Sequence, residues 1–185
     1  MIIGAGGHGR SVAEAALACG EFRLAGFLDD AYPQLSTVWG IPVLGDITDF
    51  SDFIGIADVA IVAIGNNQLR KAVVARLRAA EFELATVIHP RAIVSPSAKI
   101  GQGSAIMAGA VIGTEAKLGE GVIVNCGAVV DHHCEVEDFA HLGVHAAMAG
   151  GSVLGKGAWM QAGSALGYGV KIDADQVLLP GEAVS

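Results

Sequence analysis

The sequence predicts two folds in succession: an α/β domain over residues 1–87 and an all-β parallel β-helix of hexapeptide repeats over residues 88–185. Three observations predict this. Strand-like and helix-like segments alternate in the first half. An aliphatic residue recurs at every sixth position in the second half. Gly supplies 26 of the 185 residues while aromatic residues make up only 5%, which favours a narrow, tightly wound interior over a bulky core.

The first half has the order of elements of an α/β domain with a parallel sheet. In chain order the sequence predicts the strand MIIG, the helix RSVAEAALACG ending at Gly20, the strand RLAGFLDD, the strand DVAIVAIG, the helix NNQLRKAVVARLRAAEFE and the strand ATVIH. Gly20 suits the left-handed conformation that ends many helices. An apolar run such as DVAIVAIG is typical of a parallel strand covered on both faces.

A glycine-rich loop between the first strand and the first helix predicts a nucleotide site of the Rossmann-like kind. The loop matches GxGxxG at Gly4, Gly6 and Gly9, and the next strand ends in Asp29 and Asp30. Glycine lets the backbone approach phosphate, the helix N-terminus favours an anion, and a carboxylate accepts ribose hydroxyls. The short domain and His8 within the loop favour a nucleotide sugar over NAD. A purely structural turn is the remaining alternative.

The second half is a regular repeat with a period of six. From Ile88 to Val184 every sixth residue is aliphatic or Met, over 17 consecutive positions. This period fits neither an amphipathic helix nor an alternating strand, but it fits a parallel β-helix whose short strands point this residue inward. Most repeats also have a small residue four places later, and glycine where a turn needs φ > 0. Three hexapeptides make one triangular coil, so we expect five to six coils; a Gly-rich sandwich is the alternative.

Composition limits the partners and the compartment. The formal net charge is -8, which disfavours binding to nucleic acid. No apolar run reaches the roughly 18 residues of a membrane span, and the start MIIGAGGHGR lacks the features of a signal peptide. Three cysteines without a CxxC pair favour a reducing compartment. We therefore expect a cytoplasmic protein with no membrane or nucleic-acid partner, whose flat prism sides pack around an axis as a homotrimer.

Histidines in the repeat are the candidate reactive groups. The run NCGAVVDHHC places His132 on a turn, two positions after an inward residue, so it should face outward toward a neighbouring subunit. His141 follows half a coil later, on another side of the same chain, and the two could line one cleft across a subunit interface. The alternatives are exposed turn histidines, or Zn²⁺ held between subunits by His132, His141 and His145.

Several stretches together resemble the PglD/NeuD-type sugar acetyltransferases: IIGAGGHGRSV, FLDD, AIGNNQLRK, IHPRAIVSPSAKIG, IVNCGAVVDHHCEV and FAHLG. The resemblance spans nearly the whole chain. It implies a nucleotide-sugar-binding βαβ domain, a left-handed β-helix that binds acetyl-CoA, no metal, and a trimer with active sites between subunits.

The resemblance also implies roles for individual residues. It makes His132 the general base, places Asn125 near the reacting groups, and has His141 contact the acetyl or thioester end of CoA. The base is normally followed by a carboxylate, and here His133 takes that place, so Asp131 is the candidate substitute. Backbone lining the CoA channel is expected at Gly150 and Ala162. The positions that match the nucleotide-sugar site are Gly6, Gly7, His8, Asp29, Asp30 and Gly65.

The resulting hypothesis is acetyl transfer from acetyl-CoA to the amino group of a UDP- or GDP-linked 4-amino-4,6-dideoxy sugar, because an imidazole can take up the amine proton near neutral pH. One alternative is O-acetylation of a sialic acid with the same co-substrate. The other is a non-catalytic, trimeric scaffold that binds a nucleotide sugar.

Overall fold

The computed structural model describes residues 1–53 and 55–185. The first part is an α/β domain built on one six-stranded sheet with the order β3-β4-β2-β1-β5-β6. All its pairs are parallel except β3–β4. Its elements are β1 (Ile2–Ile3), α1 (Gly7–Cys19), β2 (Phe27–Leu28), β3 (Thr37–Val38), β4 (Ile41–Gly45), a 3₁₀ helix (Asp49–Phe53), β5 (Val59–Val62), α2 (Asn67–Ala79) and β6 (Glu83–Leu84).

Both helices have the ends that their sequences favour. Gly20 ends α1 in the left-handed conformation, with φ 75°, and Asn66 caps α2 by accepting a hydrogen bond from the Leu69 amide. Helix α1 starts at Gly7, within the glycine loop, and so begins earlier than the predicted RSVAEAALACG segment. The strands are shorter than predicted, and β3 and β4 were not predicted because their sequence has little apolar periodicity.

The second part is a parallel β-helix with one two-residue strand in each hexapeptide. The second residue of every strand is the aliphatic or Met residue of the repeat, and the series from Val94 to Val184 packs in the core, whereas Ile88 in the first strand is exposed. The strands are β7 (Val87–Ile88), β8 (Ile93–Val94), β9 (Lys99–Ile100), β10 (Ala105–Ile106), β11 (Val111–Ile112), β12 (Lys117–Leu118), β13 (Ile123–Val124), β14 (Val129–Val130), β15 (Glu135–Val136), β16 (His141–Leu142), β17 (Ala147–Met148), β18 (Val153–Leu154), β19 (Trp159–Met160), β20 (Ala165–Leu166), β21 (Lys171–Ile172), β22 (Val177–Leu178) and β23 (Ala183–Val184).

Each strand pairs with the one 18 residues away, which stacks the strands into three flat sides. The covered side, from β7 to β22, packs under the α/β domain, and its outward residues Val87, Ala105 and Ile123 are buried. The charged side, from β9 to β21, has mostly Lys and Glu outward. The apolar side, from β8 to β23, has only aliphatic residues outward: Ile93, Val111, Val129, Ala147, Ala165 and Ala183.

These two parts confirm the predicted α/β domain followed by a left-handed parallel β-helix. The division at residues 87 and 88 stays a prediction, and strand β7 spans it. Within the described parts of the chain, no helix is long and apolar enough to cross a membrane.

Candidate active site

A cavity of about 310 Å³ opens at the glycine-rich loop. It lies at the carboxyl ends of β1, β2 and β5, where ligands bind in open parallel sheets. The structure brings together at this cavity all six residues that were predicted to bind a nucleotide sugar: Gly6, Gly7, His8, Asp29, Asp30 and Gly65. Three elements far apart in sequence therefore form one pocket.

Two glycines and one carboxylate hold the loop in shape. A side chain at Gly9 would collide with the Gly4 carbonyl, and Gly4 itself has φ +104°, which favours glycine strongly. Asp29 accepts hydrogen bonds from the Ala5 amide at 2.6 Å and the Ala31 amide at 2.9 Å. Asp29 thus ties the loop to the end of β2.

The two titratable groups beside Asp29 have shifted pKa values. Burial, and then the nearby carboxylates of Asp46 and Asp29, raise the pKa of Asp30. Burial, and then the charge of Arg70, lower the pKa of His8 to about 4, so this imidazole is neutral at neutral pH. The Nε2 atom of His8 is buried without a hydrogen-bond partner in the described part of the chain.

Arg70 joins the α/β domain to the β-helix. It is fully buried, and burial lowers its pKa to about 10. Its guanidinium donates to the Gly121 and Phe139 carbonyls of the β-helix at 2.8 and 2.6 Å, and to the Ile64 carbonyl at 2.9 Å. Asn67 adds a bond from Nδ2 to the Gly157 carbonyl at 2.8 Å. Sequence reasoning missed this role, although AIGNNQLRK contains both residues.

His141 lies at the same junction, beside the nucleotide cavity. Its Nδ1 donates to the Gly65 carbonyl at 3.3 Å, so its Nε2 is left to accept from Asn125 Nδ2 at 3.4 Å. Its ring stacks on Trp159, with centroids 5.5 Å apart. Burial, and then the charges of Arg70 and His8, lower its pKa to about 3. Both ring nitrogens are already paired, and the predicted contact of His141 with CoA stays a prediction.

His132 follows β14 on the turn between the apolar and charged sides, as its position in the repeat predicted. Its side chain is 45% exposed. Gly150, one coil further on, lies against its ring, since a Cβ there would be 2.5 Å from ring atoms. The ring of Tyr168 has its centroid 6.4 Å away. Ala162, also predicted to line the CoA channel, is exposed on a later turn.

The two residues flanking His132 differ in what they contact. Asp131 accepts from the His132 amide at 2.7 Å, while its other oxygen is 3.8 Å from Nε2 of the ring, too far for a hydrogen bond. His133 places its Nδ1 3.0 Å from Nδ1 of His132. Its Nε2 is 3.2 Å from the carboxylate of Glu115, a residue that sequence reasoning did not single out.

Within residues 1–53 and 55–185, no group of three or more His, Cys, Asp or Glu side chains is arranged to hold a metal ion. Cys134 is buried and points at the Ser152 hydroxyl, 3.4 Å away, while Cys126 is half-buried. Both are wall residues of the coil, as their positions in the repeat predicted.

Comparison with known proteins places this arrangement in a family. A family model of the PglD N-terminal domain matches residues 1–77. The perosamine N-acetyltransferase of Caulobacter crescentus, solved with CoA and GDP-perosamine, is 38% identical with a TM-score of 0.93, over 100% of this chain and 87% of that one. The chain belongs to the PglD/NeuD-type sugar acetyltransferases.

Two further relatives belong beside it. The acetyltransferase domain of PglB from Neisseria gonorrhoeae FA1090, also solved with acetyl coenzyme A, is 38% identical with a TM-score of 0.78, over 98% of this chain and 91% of that one. UDP-N-acetylbacillosamine N-acetyltransferase of Bacillus subtilis (strain 168) is 39% identical over 110 residues. That match covers 58% of this chain and 50% of the Bacillus protein, so the chain spans about half of this relative's length. CoA or acetyl-CoA is thus the co-substrate bound by relatives in this family.

Proposed function

We propose that this protein transfers the acetyl group of acetyl-CoA to the amino group of a nucleotide-linked 4-amino-4,6-dideoxy sugar, with His132 as general base. The amine attacks the thioester carbonyl, so that a C–N bond forms and the C–S bond breaks. The amine proton goes to Nε2 of His132 and then to the departing CoA thiolate. No covalent enzyme intermediate is required, and the products are the amide and free CoA.

The observation that carries the proposal is the hydrogen bonding of the two ring nitrogens of His132. Its Nδ1 is occupied by His133, whereas Nε2 has no hydrogen bond in the described part of the chain and lies on an accessible turn. A general base needs a free lone pair within reach of the substrate. Asp131, 3.8 Å from Nε2, would stabilise the positive charge that the ring acquires.

The glycine-loop cavity supports the choice of acceptor. It combines backbone amides at the N-terminus of α1 with the Asp30 carboxylate and the buried, unpaired His8 Nε2. These groups suit a diphosphate and ribose hydroxyls. One relative is named for a UDP-linked amino sugar, UDP-N-acetylbacillosamine, and another is solved with the GDP-linked amino sugar GDP-perosamine. Asn125 and His141 adjoin the cavity through Gly65, and we assign them to positioning the sugar or acetyl group.

A homotrimer belongs to the proposal, and the apolar side of the prism supports it. Its outward residues form one uninterrupted aliphatic column, and Ile93 is 67% exposed in the single chain. Aliphatic faces of this length are typical of surfaces buried between subunits. His132 borders this side, so a second copy packed there would meet the base.

The test is a panel of UDP- and GDP-linked 4-amino sugars with acetyl-CoA, followed by release of the free CoA thiol. We expect turnover on at least one, and a kcat about 10²-fold lower in His132→Ala with little change in acetyl-CoA binding. His145→Ala is the matched control, because His145 lies against Gly127 as His132 lies against Gly150, one coil away in each case. Near-full turnover in His132→Ala would rule out this base.

Two further measurements identify the alternatives. Sialic acid is offered as a separate acceptor, and its acetylation without acetylation of any amino sugar would replace the proposed reaction by O-acetylation. If isothermal titration detects no binding of acetyl-CoA, the protein is a non-catalytic scaffold that binds a nucleotide sugar.

A further inference from the structure

Three side chains on two neighbouring turns form a line of close polar contacts that ends at His132: a hydrogen bond between the two histidines and an ion-pair contact with a carboxylate. Nδ1 of His132 is 3.0 Å from Nδ1 of His133, and Nε2 of His133 is 3.2 Å from a carboxylate oxygen of Glu115. We propose that His133 and Glu115 act as positioning residues that fix the tautomer and orientation of His132. The inference rests on the proposed function, in which His132 is the base.

The protons along this line can be assigned from the carboxylate end. A carboxylate only accepts, so Nε2 of His133 carries the hydrogen that faces Glu115. In a neutral His133, Nδ1 is then a bare acceptor, and Nδ1 of His132 must donate to it. This places the lone pair of His132 on Nε2, which points away from the line. The carboxylate of Glu115 therefore selects, through His133, the tautomer that can remove a proton from an amine.

The backbone of the β-helix builds this line. Glu115 and His133 occupy the same turn position one coil apart, and both have left-handed φ values, 58° and 59°. The amide of each residue bonds to the turn one coil earlier: that of Glu115 donates to the Ser97 hydroxyl at 3.0 Å, and that of His133 donates to the Thr114 carbonyl at 2.9 Å. Stacked turns thus hold the two side chains in register.

Among the described residues, the ion-pair partner of Glu115 is His133. Lys99 and Lys117 line the same groove, and Lys117 pairs with another carboxylate, that of Glu135, at 2.9 Å. When His132 takes up the amine proton, its ring becomes an imidazolium that donates from Nδ1 to His133, and the charge is balanced through that ring by Glu115. No bond other than those to hydrogen changes along the line.

The kinetic test compares Glu115→Gln with Glu137→Gln. Both remove one negative charge from a turn beside the charged side, but Glu137 contacts the Lys156 amide and is not in the line. We expect Glu115→Gln to lower kcat about 10-fold, with KM for both substrates and the melting temperature little changed. Glu137→Gln should leave kcat within twofold.

Restoring kcat with a second substitution distinguishes a positioning role of His133 and Glu115 from a purely structural role. His133→Asp puts a carboxylate directly beside His132, and Asp tolerates the left-handed conformation of this turn. In the Glu115→Gln background, His133→Asp should restore most of the lost kcat, whereas His133→Ala should not. Equal kcat in wild type and Glu115→Gln would overturn the inference.

A second readout needs no turnover. Long-range ¹⁵N–¹H correlation spectra of ¹⁵N-histidine protein in alkaline buffer report which ring nitrogen of His132 carries hydrogen, with His132→Ala giving the assignment. We expect the Nδ1–H form in wild type and Glu137→Gln, and a shift toward Nε2–H in Glu115→Gln. An Nε2–H form in wild type would overturn the relay even if the enzyme is active. Failure of every amino sugar to react would refute the proposed function, and the spectra would still decide the tautomer.

Discussion

Replacing Arg70 by Met should destabilise the protein more than the same replacement of any exposed arginine. Arg70 is fully buried, and its guanidinium satisfies carbonyls on both parts of the chain. Met fills a similar length but leaves the Gly121, Phe139 and Ile64 carbonyls without their donor. Each buried acceptor left unpaired costs about 1–3 kcal/mol. Since a buried charge also costs solvation that Met does not, we expect a net loss of about 3–5 kcal/mol.

The assay is urea unfolding, with the fluorescence of Trp39 and Trp159 and circular dichroism as separate probes. The matched control is Arg78→Met on the same helix, because Arg78 also reaches the β-helix, through Glu120 at 2.8 Å, but its own side chain is 52% exposed. Exposed pairs of this kind contribute below about 1 kcal/mol. We also expect a lower melting temperature for Arg70→Met, by roughly 10 °C. Equal unfolding midpoints for Arg70→Met and Arg78→Met would refute the view that Arg70 holds the two parts together.

Two further outcomes follow from buried histidines and from the apolar side. In the folded protein the pKa values of His8 and His141 are lowered to about 4 and about 3, so both rings stay neutral at about pH 5. In the unfolded chain both rings take up a proton below about pH 6.5, which favours the unfolded state. The free energy of unfolding therefore falls as the pH is lowered from about 6.5 toward about 4. The fall in melting temperature between about pH 7.5 and 5 should shrink in His8→Asn and His141→Asn but not in His145→Asn, and an unchanged slope would contradict this. Light scattering of the wild-type protein should give a mass three times the 18.8 kDa of the chain. Val129→Lys, on the apolar side, should lower this mass, whereas Val153→Lys, on the charged side, should leave it unchanged. A monomeric wild-type protein would contradict the trimer.

The β-helix could be predicted from sequence almost residue by residue, because its core repeats with the chain. Every aliphatic or Met position of the repeat from Ile88 to Val184 is set by local spacing, and the structure puts each on the second residue of a strand. The α/β domain was harder. Strands β3 and β4 pair with each other and with β2, a contact that depends on tertiary packing and leaves little periodicity in the sequence.

The candidate site shows the same division. The glycine loop and its two acids were predictable because a phosphate-binding turn requires particular residues at fixed spacing. Glu115 and Arg70 were not, since each acts on a residue at least 18 positions away in the chain. The residues next to Glu115 in the sequence do not distinguish it from other acidic residues on turns. Its contact with His133 depends on the 18-residue length of one coil. In the sequence, Arg70 has the pattern of a surface arginine on an amphipathic helix. Only the folded structure shows that β-helix carbonyls lie opposite it.

In the proposed trimer, one chain does not make a complete site. Arg70 fixes the nucleotide cavity against the covered side of the prism, where His141 lies under the α/β domain. His132 lies instead at the border of the apolar and charged sides. We propose that a second copy, packed on the apolar side, brings its own cavity toward His132. Monomeric Val129→Lys protein should therefore still bind nucleotide sugar in isothermal titration while losing most of its turnover. Full turnover by a proven monomer would show that base and acceptor meet within one chain.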